Sequence, residues 1–247
     1  MPLFYLRGLT GSRRTEQANR HLARYLACIA GAANAGGFLA VRQYTSHMSG
    51  IVSAMADDLA VGSVLLALNG LAAVMSFLMG AFLTTLFVRW ARERRLESEY
   101  ALPLVLEAVL LVIFGVTGRV FSGGYLLGTV MLLCFTMGLQ NAIITKISDA
   151  VIRTTHLTGM VTDIGIALGR MAYRIPGESA GNGLHPEMDR LRLLGSLIAL
   201  FFVGGVVGAV GFKHAGFLFT LPLAAVVLLL AAMPVLDDVL GVLRDTA

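Results

Sequence analysis

Six apolar runs dominate the chain, at about residues 22–41, 63–88, 101–119, 125–145, 193–212 and 215–236. Each is long enough to cross a hydrocarbon core of about 30 Å as an α-helix. Runs of this length leave few alternatives, because lipid offers no partner for a free backbone N–H or C=O. The composition agrees: 57% of residues are hydrophobic and 14% are charged, against roughly 45–50% and about 25% in soluble domains. That excludes a disordered chain, a secreted disulfide scaffold, a collagen and an ordinary cytosolic enzyme. Cys28 and Cys134 lie in apolar runs without metal-type spacing. The sequence implies neither a metal nor a cofactor, and its formal charge of +4 is no nucleic-acid signal.

Two further segments, 45–62 and 154–170, are weakly apolar and rich in Thr, Ser, His and Gly. Basic residues decide how to place them, since cytoplasmic loops collect Lys and Arg. With six crossings and both termini inside, sixteen of the nineteen basic residues are cytoplasmic; Arg42, Arg119 and Lys213 lie outside. If 45–62 crossed as well, Arg89, Arg92, Arg94 and Arg95 would all move outside. The sequence therefore predicts an all-α polytopic bundle of six full spans, with 45–62 and 154–170 as re-entrant or broken elements. Residues 1–21, with Arg7, Arg13, Arg14 and Arg20, lack a signal-peptide pattern and read as a cytoplasmic tail. Residues 170–192, with Pro176-Gly177 and His185-Pro186, read as a cytoplasmic loop. Asp149 and Arg153, four apart, suit a helical pair.

The two polar segments are copies of one motif. Thr45-Ser46-His47-Met48-Ser49-Gly50-Ile51-Val52-Ser53 matches Thr154-Thr155-His156-Leu157-Thr158-Gly159-Met160-Val161-Thr162 at an offset of 109. Ala33-Asn34-Ala35 precedes the first, and Gln140-Asn141-Ala142 precedes the second, at an offset of 107. Leu102-Pro103-Leu104 returns as Leu221-Pro222-Leu223. This divides the chain into a first unit, 22–119, and a second, 120–236, followed by a tail, 237–247. Three spans per unit is an odd number, so the second unit enters the membrane from the opposite side. Inverted repeats of this kind build many secondary transporters, with sites where discontinuous helices meet near the midplane.

The motifs have a chemistry to match. Ser and Thr suit helix N-caps and Gly permits unusual backbone angles. A short helix beginning inside the membrane presents free N–H groups and a partial positive charge. Two such ends, with hydroxyls from Thr45, Ser49, Thr154 and Thr158, suit an anion or a carboxylate. The substrate-binding candidates are Asn34, Thr45, Ser46, His47, Ser49 and Gly50 in the first unit. Their counterparts are Gln140, Asn141, Thr154, Thr155, His156, Thr158 and Gly159 in the second. The amides serve equally as glue between helices. His47 and His156 suit proton coupling, because imidazole titrates near neutral pH, or merely tie a loop to a carbonyl. Glu107, inside the third span, and Asp163 are the other ion or proton candidates. Glu107 aligns with the apolar Val226, so it stands outside the repeat. Asp57 and Asp58 suit the solvated mouth of the first broken element.

These residues resemble a known family. Ala30-Gly31, Asn34, Phe38-Leu39 and Thr45 to Gly50, with Gly138-Leu139-Gln140-Asn141-Ala142 and Thr154 to Gly159, are similar to the YoaK-like bacterial inner-membrane proteins. That family is known as domain of unknown function 1275. The resemblance covers about residues 22–236 and implies a multi-pass protein of the bacterial inner membrane, without naming a substrate. Three functions stay open. A small secondary transporter or permease leads. A non-transporting scaffold or sensor follows, with self-association of copies an option. An intramembrane enzyme ranks last, as no His-Glu-x-x-His, Gly-x-Ser-x-Gly or phosphate-loop pattern occurs. The partners implied are the lipid bilayer and a small solute.

Overall fold

The computed structural model describes residues 2–11, 14–121, 126–148, 154–173 and 184–245, and all regular structure among them is helical. The helices are α1 (Pro2–Thr10), α2 (Glu16–Val41), α3 (Met48–Ala60), α4 (Val64–Glu93) and α5 (Ala101–Phe121), then α6 (Leu126–Ile147), α7 (Leu157–Ala172), α8 (Leu184–Ala215) and α9 (Thr220–Asp245). A 3-10 turn at Gly216–Phe219 joins the last two.

Length sorts these helices into two kinds. Helices α2, α4, α5, α6, α8 and α9 have between 21 and 32 residues. Helices α3 and α7 have 13 and 16, short of the roughly 20 that a crossing needs. Among the described residues, four segments are long and apolar enough to cross a membrane: Val64–Glu93, Ala101–Gly118, Leu127–Ile147 and Glu187–Gly241, the last spanning most of α8 and α9. Their outward faces carry Leu65, Phe202 and Leu229, all well exposed. The predicted run at 22–41 lies in α2, where Thr15 caps the start by accepting from Ala18 N.

Local chemistry sets several helix ends. Pro103 and Pro222 each stand third in their helices, α5 and α9, where a missing N–H breaks no helical bond. The recurring Leu-Pro-Leu therefore marks two equivalent helix starts. Gly62 turns the chain between α3 and α4 with a φ of 78°, a conformation open to glycine.

Two predicted segments differ in the structure. The amino-terminal tail contains α1, which packs on α9 and α2 with Leu9 and Thr10 buried. The reason lies in Pro234, which cannot donate to the Leu230 carbonyl four residues earlier. Thr10 Oγ1 donates to that carbonyl instead, at 2.8 Å, and Arg7 pairs with Asp237 one turn further on. The predicted loop 170–192 is also shorter, because α7 reaches Ala172 and α8 begins at Leu184. Asp149, Arg153 and Pro176-Gly177 lie outside the described residues.

The main pairings are symmetric under exchange of α2–α5 for α6–α9, except that α5 packs on α6 much more extensively than α9 does on α2. Helix α2 packs on α8, and α6 packs on α4; α3 packs on α4, and α7 on α8. Two further pairs, α2 with α6 and α5 with α9, join equivalent helices, and they run antiparallel. Asn19 donates to Ile147 O near one end of α2–α6, and Gln140 donates to Leu26 O further along. Asp238 accepts from Glu97 N and Ser98 N at one end of α5–α9, while Gly115 meets Thr220 at the other. Equivalent helices pointing in opposite directions make the repeat an inverted one.

Four glycines set the closest crossings. A methyl group at Gly31 would overlap the Phe201 carbonyl of α8, and one at Gly204 the Cys28 carbonyl of α2. In the other pair, Gly138 faces Phe77 O and Gly80 faces Phe135 O in the same way. These contacts are related by the repeat: 31 to 138 and 28 to 135 at an offset of 107, 77 to 201 and 80 to 204 at 124. Small residues that let helix backbones approach are the usual packing device in lipid.

Candidate functional site

Each motif forms a turn that brings a short helix back beside the middle of a long one. In the first unit, α2 ends at Arg42, whose φ is 57° and whose N–H bonds Phe38 O at 2.8 Å. The chain then folds back so that Asn34 Oδ1, about two turns inside α2, accepts from Ser46 Oγ at 3.1 Å and Ser46 N at 3.4 Å. In the second unit, Asn141 Oδ1 accepts from Thr155 Oγ1 at 2.6 Å. The same clasp thus closes both turns. It satisfies amides that would otherwise be costly at this depth.

Helices α3 and α7 begin directly after the clasps, with His47 and His156 as their N-caps. Neither imidazole makes a side-chain cap hydrogen bond. The first-turn N–H groups of both helices are therefore left without a capping side chain, and the helix dipole adds partial positive charge there.

Both N-termini open on one central cavity of about 1110 Å³. Asn34, Ser46, His47, Met48 and Ser49 line it from the first unit, and Asn141, Thr155, His156, Leu157 and Thr158 from the second. Phe77 and Phe201, themselves equivalent positions, form its apolar walls. Eight of the sequence candidates thus meet at one place, although the two motifs are 109 residues apart.

Other candidates stand elsewhere. Thr45 and Thr154 are buried behind the motifs, 1% and 0% exposed, and neither hydroxyl has a hydrogen-bond partner. They do not line the cavity, because each turn points its first Thr inward; Thr45 fits against Gly37 of α2. Gln140 is fully buried and reaches Leu26 O at 3.4 Å, joining α6 to α2. Gly50 lines a neighbouring cavity and Gly159 is exposed. Glu107 is fully buried in α5 with both carboxylate oxygens unpartnered, away from the cavity lining. Val226, its aligned position, is 41% exposed, so the two sites differ in environment as well as residue. Asp163 accepts from Arg190 Nη2 at 3.0 Å.

The structure also adds residues that the motifs do not reveal. Lys146, Thr145 and Thr85 line the cavity, as does Tyr44. Among the described lining residues, Lys146 is the only Lys, Arg, Asp or Glu. It lies five residues beyond Asn141 in the last turn of α6, a spacing that sets the two about 140° apart around an ideal helix and so gives no sign of a shared location.

Residues 22–233 match the family described as protein of unknown function (DUF1275). A relative, the UPF0700 transmembrane protein YoaK of Bacillus subtilis (strain 168), is 29% identical over 154 residues, covering 61% of this chain and 68% of its own. No solved structure matches. The chain belongs to the DUF1275 family and is a YoaK-like membrane protein.

Proposed function

We propose that this member of the DUF1275 family is a small permease whose solute binds in the central cavity. One observation carries the reading: two copies of one motif, inverted relative to each other, converge on a single cavity at mid-helix. In this reading six helices cross the bacterial inner membrane, α3 and α7 are re-entrant, and both termini are cytoplasmic. Elements of this kind survive at membrane depth where they line a wet cavity.

The solute we infer is an anion, and a carboxylate fits best. Two uncapped helix N-termini and the Lys146 ammonium supply positive charge, and among the described residues no carboxylate lines the cavity. The volume suits an organic solute, whose apolar body would lie between Phe77 and Phe201. His47 and His156 stand at the two N-termini, where each could hand a proton to the bound solute. We read the chain as no enzyme and as needing no cofactor.

The clasps favour a second reading. Asn34 with Ser46, and Asn141 with Thr155, satisfy one another, as a scaffold or sensor would require. Sealed vesicles containing the purified protein separate the two. Flux of a labelled carboxylate, reduced in Lys146→Ala and in the double variant His47→Ala/His156→Ala, supports the permease. Absence of flux for every anion tested, with a cation carried instead or nothing carried, removes it.

A further inference from the structure

Tyr44 and His47 line a second cavity as well as the central one. It measures about 660 Å³ and is walled by the end of α2, by α3, and by the first turns of α4 and α6. Arg42, Gln43, Asp58 and Asn69 bring polar groups to a mostly apolar lining. The two cavities therefore adjoin at Tyr44 and His47, the second lying toward the end of the bundle where α3 turns into α4.

An inverted repeat calls for an equivalent space at the opposite end, between α7 and α8. The same offsets, 109 for the short helices and 124 for the long ones, find its residues. Ala54 and Leu66, which line the first-unit cavity, correspond to Asp163 and Arg190; Gly70 corresponds to Leu194. Arg190 donates to Asp163 at 3.0 Å, so the pair ties α7 to α8. Arg170 donates to Glu187 at 3.2 Å and ties the same two helices again. Leu194 is buried in the main core. Positions that are small or apolar around a cavity in the first unit are bridged or filled in the second.

Resting on the permease reading, we propose that the cavity at α3 is the solute's entry site. The solute passes Tyr44 and His47 into the central cavity. The Asp163–Arg190 pair is the closed gate of the matching exit at α7. The bundle is thus held open toward the α3 end and shut toward the α7 end. Alternating access requires the ion pair to part and α3 to close on α4.

The test uses the full chain with Cys28 and Cys134 replaced by Ala, in sealed vesicles, and a membrane-impermeant maleimide. Thr158→Cys reports on the central cavity and Asn69→Cys on the entry site. Thr158→Cys reacts from the α3 face. His47→Trp slows that reaction by about tenfold or more, while Asn69→Cys reacts as before. Asp163→Ala, which installs the first unit's residue, makes Thr158→Cys reactive from the α7 face. Asp163→Arg combined with Arg190→Asp protects it again. Labelling of Thr158→Cys that ignores His47→Trp overturns the entry path, and an α7 face still silent in Asp163→Ala overturns the gate. Labelling needs no flux. This labelling pattern without anion transport would remove the permease reading and leave the two access routes standing.

Discussion

The two units are built alike where they hold the bundle together and unlike where they carry charge. Both have an Asn clasp, an uncapped short helix after a His, a proline-started last helix and a glycine at each close crossing. Charge breaks the likeness. Glu107 stands against Val226, Lys146 against Leu39, and the Asp163–Arg190 pair against Ala54 and Leu66. Steric and hydrogen-bond requirements are mirrored because each half is the packing surface of the other. Charges are free to differ, because the two ends of the bundle face different tasks. Breaking the mirrored features should damage both halves alike. Breaking the unmirrored ones should affect one route only.

The largest effect should come from the crossing glycines. Gly31, Gly80, Gly138 and Gly204 each meet backbone carbonyls, which cannot move aside as a flexible side chain would. Replacing any one by Ala must push two helices apart. We expect a loss of about 3 kcal/mol, the upper end of ordinary overpacking, at all four. Gly165 and Gly195, with open space around them, should accept Ala without loss. Thermal unfolding of the purified variants in one detergent checks both groups. Tolerance at one pair, Gly31 with Gly204 or Gly80 with Gly138, would show that the two crossings are not equivalent.

Much of this was legible in the sequence, and the reasons are physical. Long apolar runs report helices because lipid admits little else. The nine-residue motif was a strong sign because polar residues are scarce in such a chain. The turn following α2, the short helices and the meeting of both motifs at one cavity followed from that repeat. The position of Thr45 did not, since a turn sends neighbouring side chains to different places and the motif alone does not say where. The docking of α1 was hidden as well. It depends on Pro234 freeing a carbonyl more than two hundred residues away, which no local pattern reports. Lys146 was hidden by its location at a helix end, where a basic residue reads as a topology anchor.

The clasps offer a finer comparison. Losing the acceptor in Asn34→Ala or Asn141→Ala should cost about 1–2 kcal/mol, the range for a buried hydrogen bond whose donor is left unpaired. Exchange for Asp should separate the units. Asn34 accepts from Ser46, and an aspartate keeps both of those bonds. Asn141 also donates, through Nδ2 to Met137 O at 2.8 Å, and an aspartate loses that bond. Asn34→Asp should therefore unfold close to the parent temperature, and Asn141→Asp should unfold lower. Equal midpoints would mean that the Nδ2 bond of Asn141 contributes nothing.

The smallest difference concerns the glycines that follow the histidines. A methyl group at Gly159 would lie 3.8 Å from His156 Nδ1, an ordinary contact, whereas at Gly50 it would lie 2.8 Å from His47 Nδ1. Ala is favoured over Gly inside a helix by about 1 kcal/mol. Gly159→Ala should gain most of that. In Gly50→Ala the His47 ring must swing away, so the gain shrinks toward zero. The displaced ring is the one that lines both cavities. Gly50→Ala should therefore alter the labelling rate of Thr158→Cys from the α3 face, and Gly159→Ala should leave it unchanged. A matching pair of effects would place the two histidines in equivalent roles; an effect at Gly50 alone would make His47 the one that controls entry.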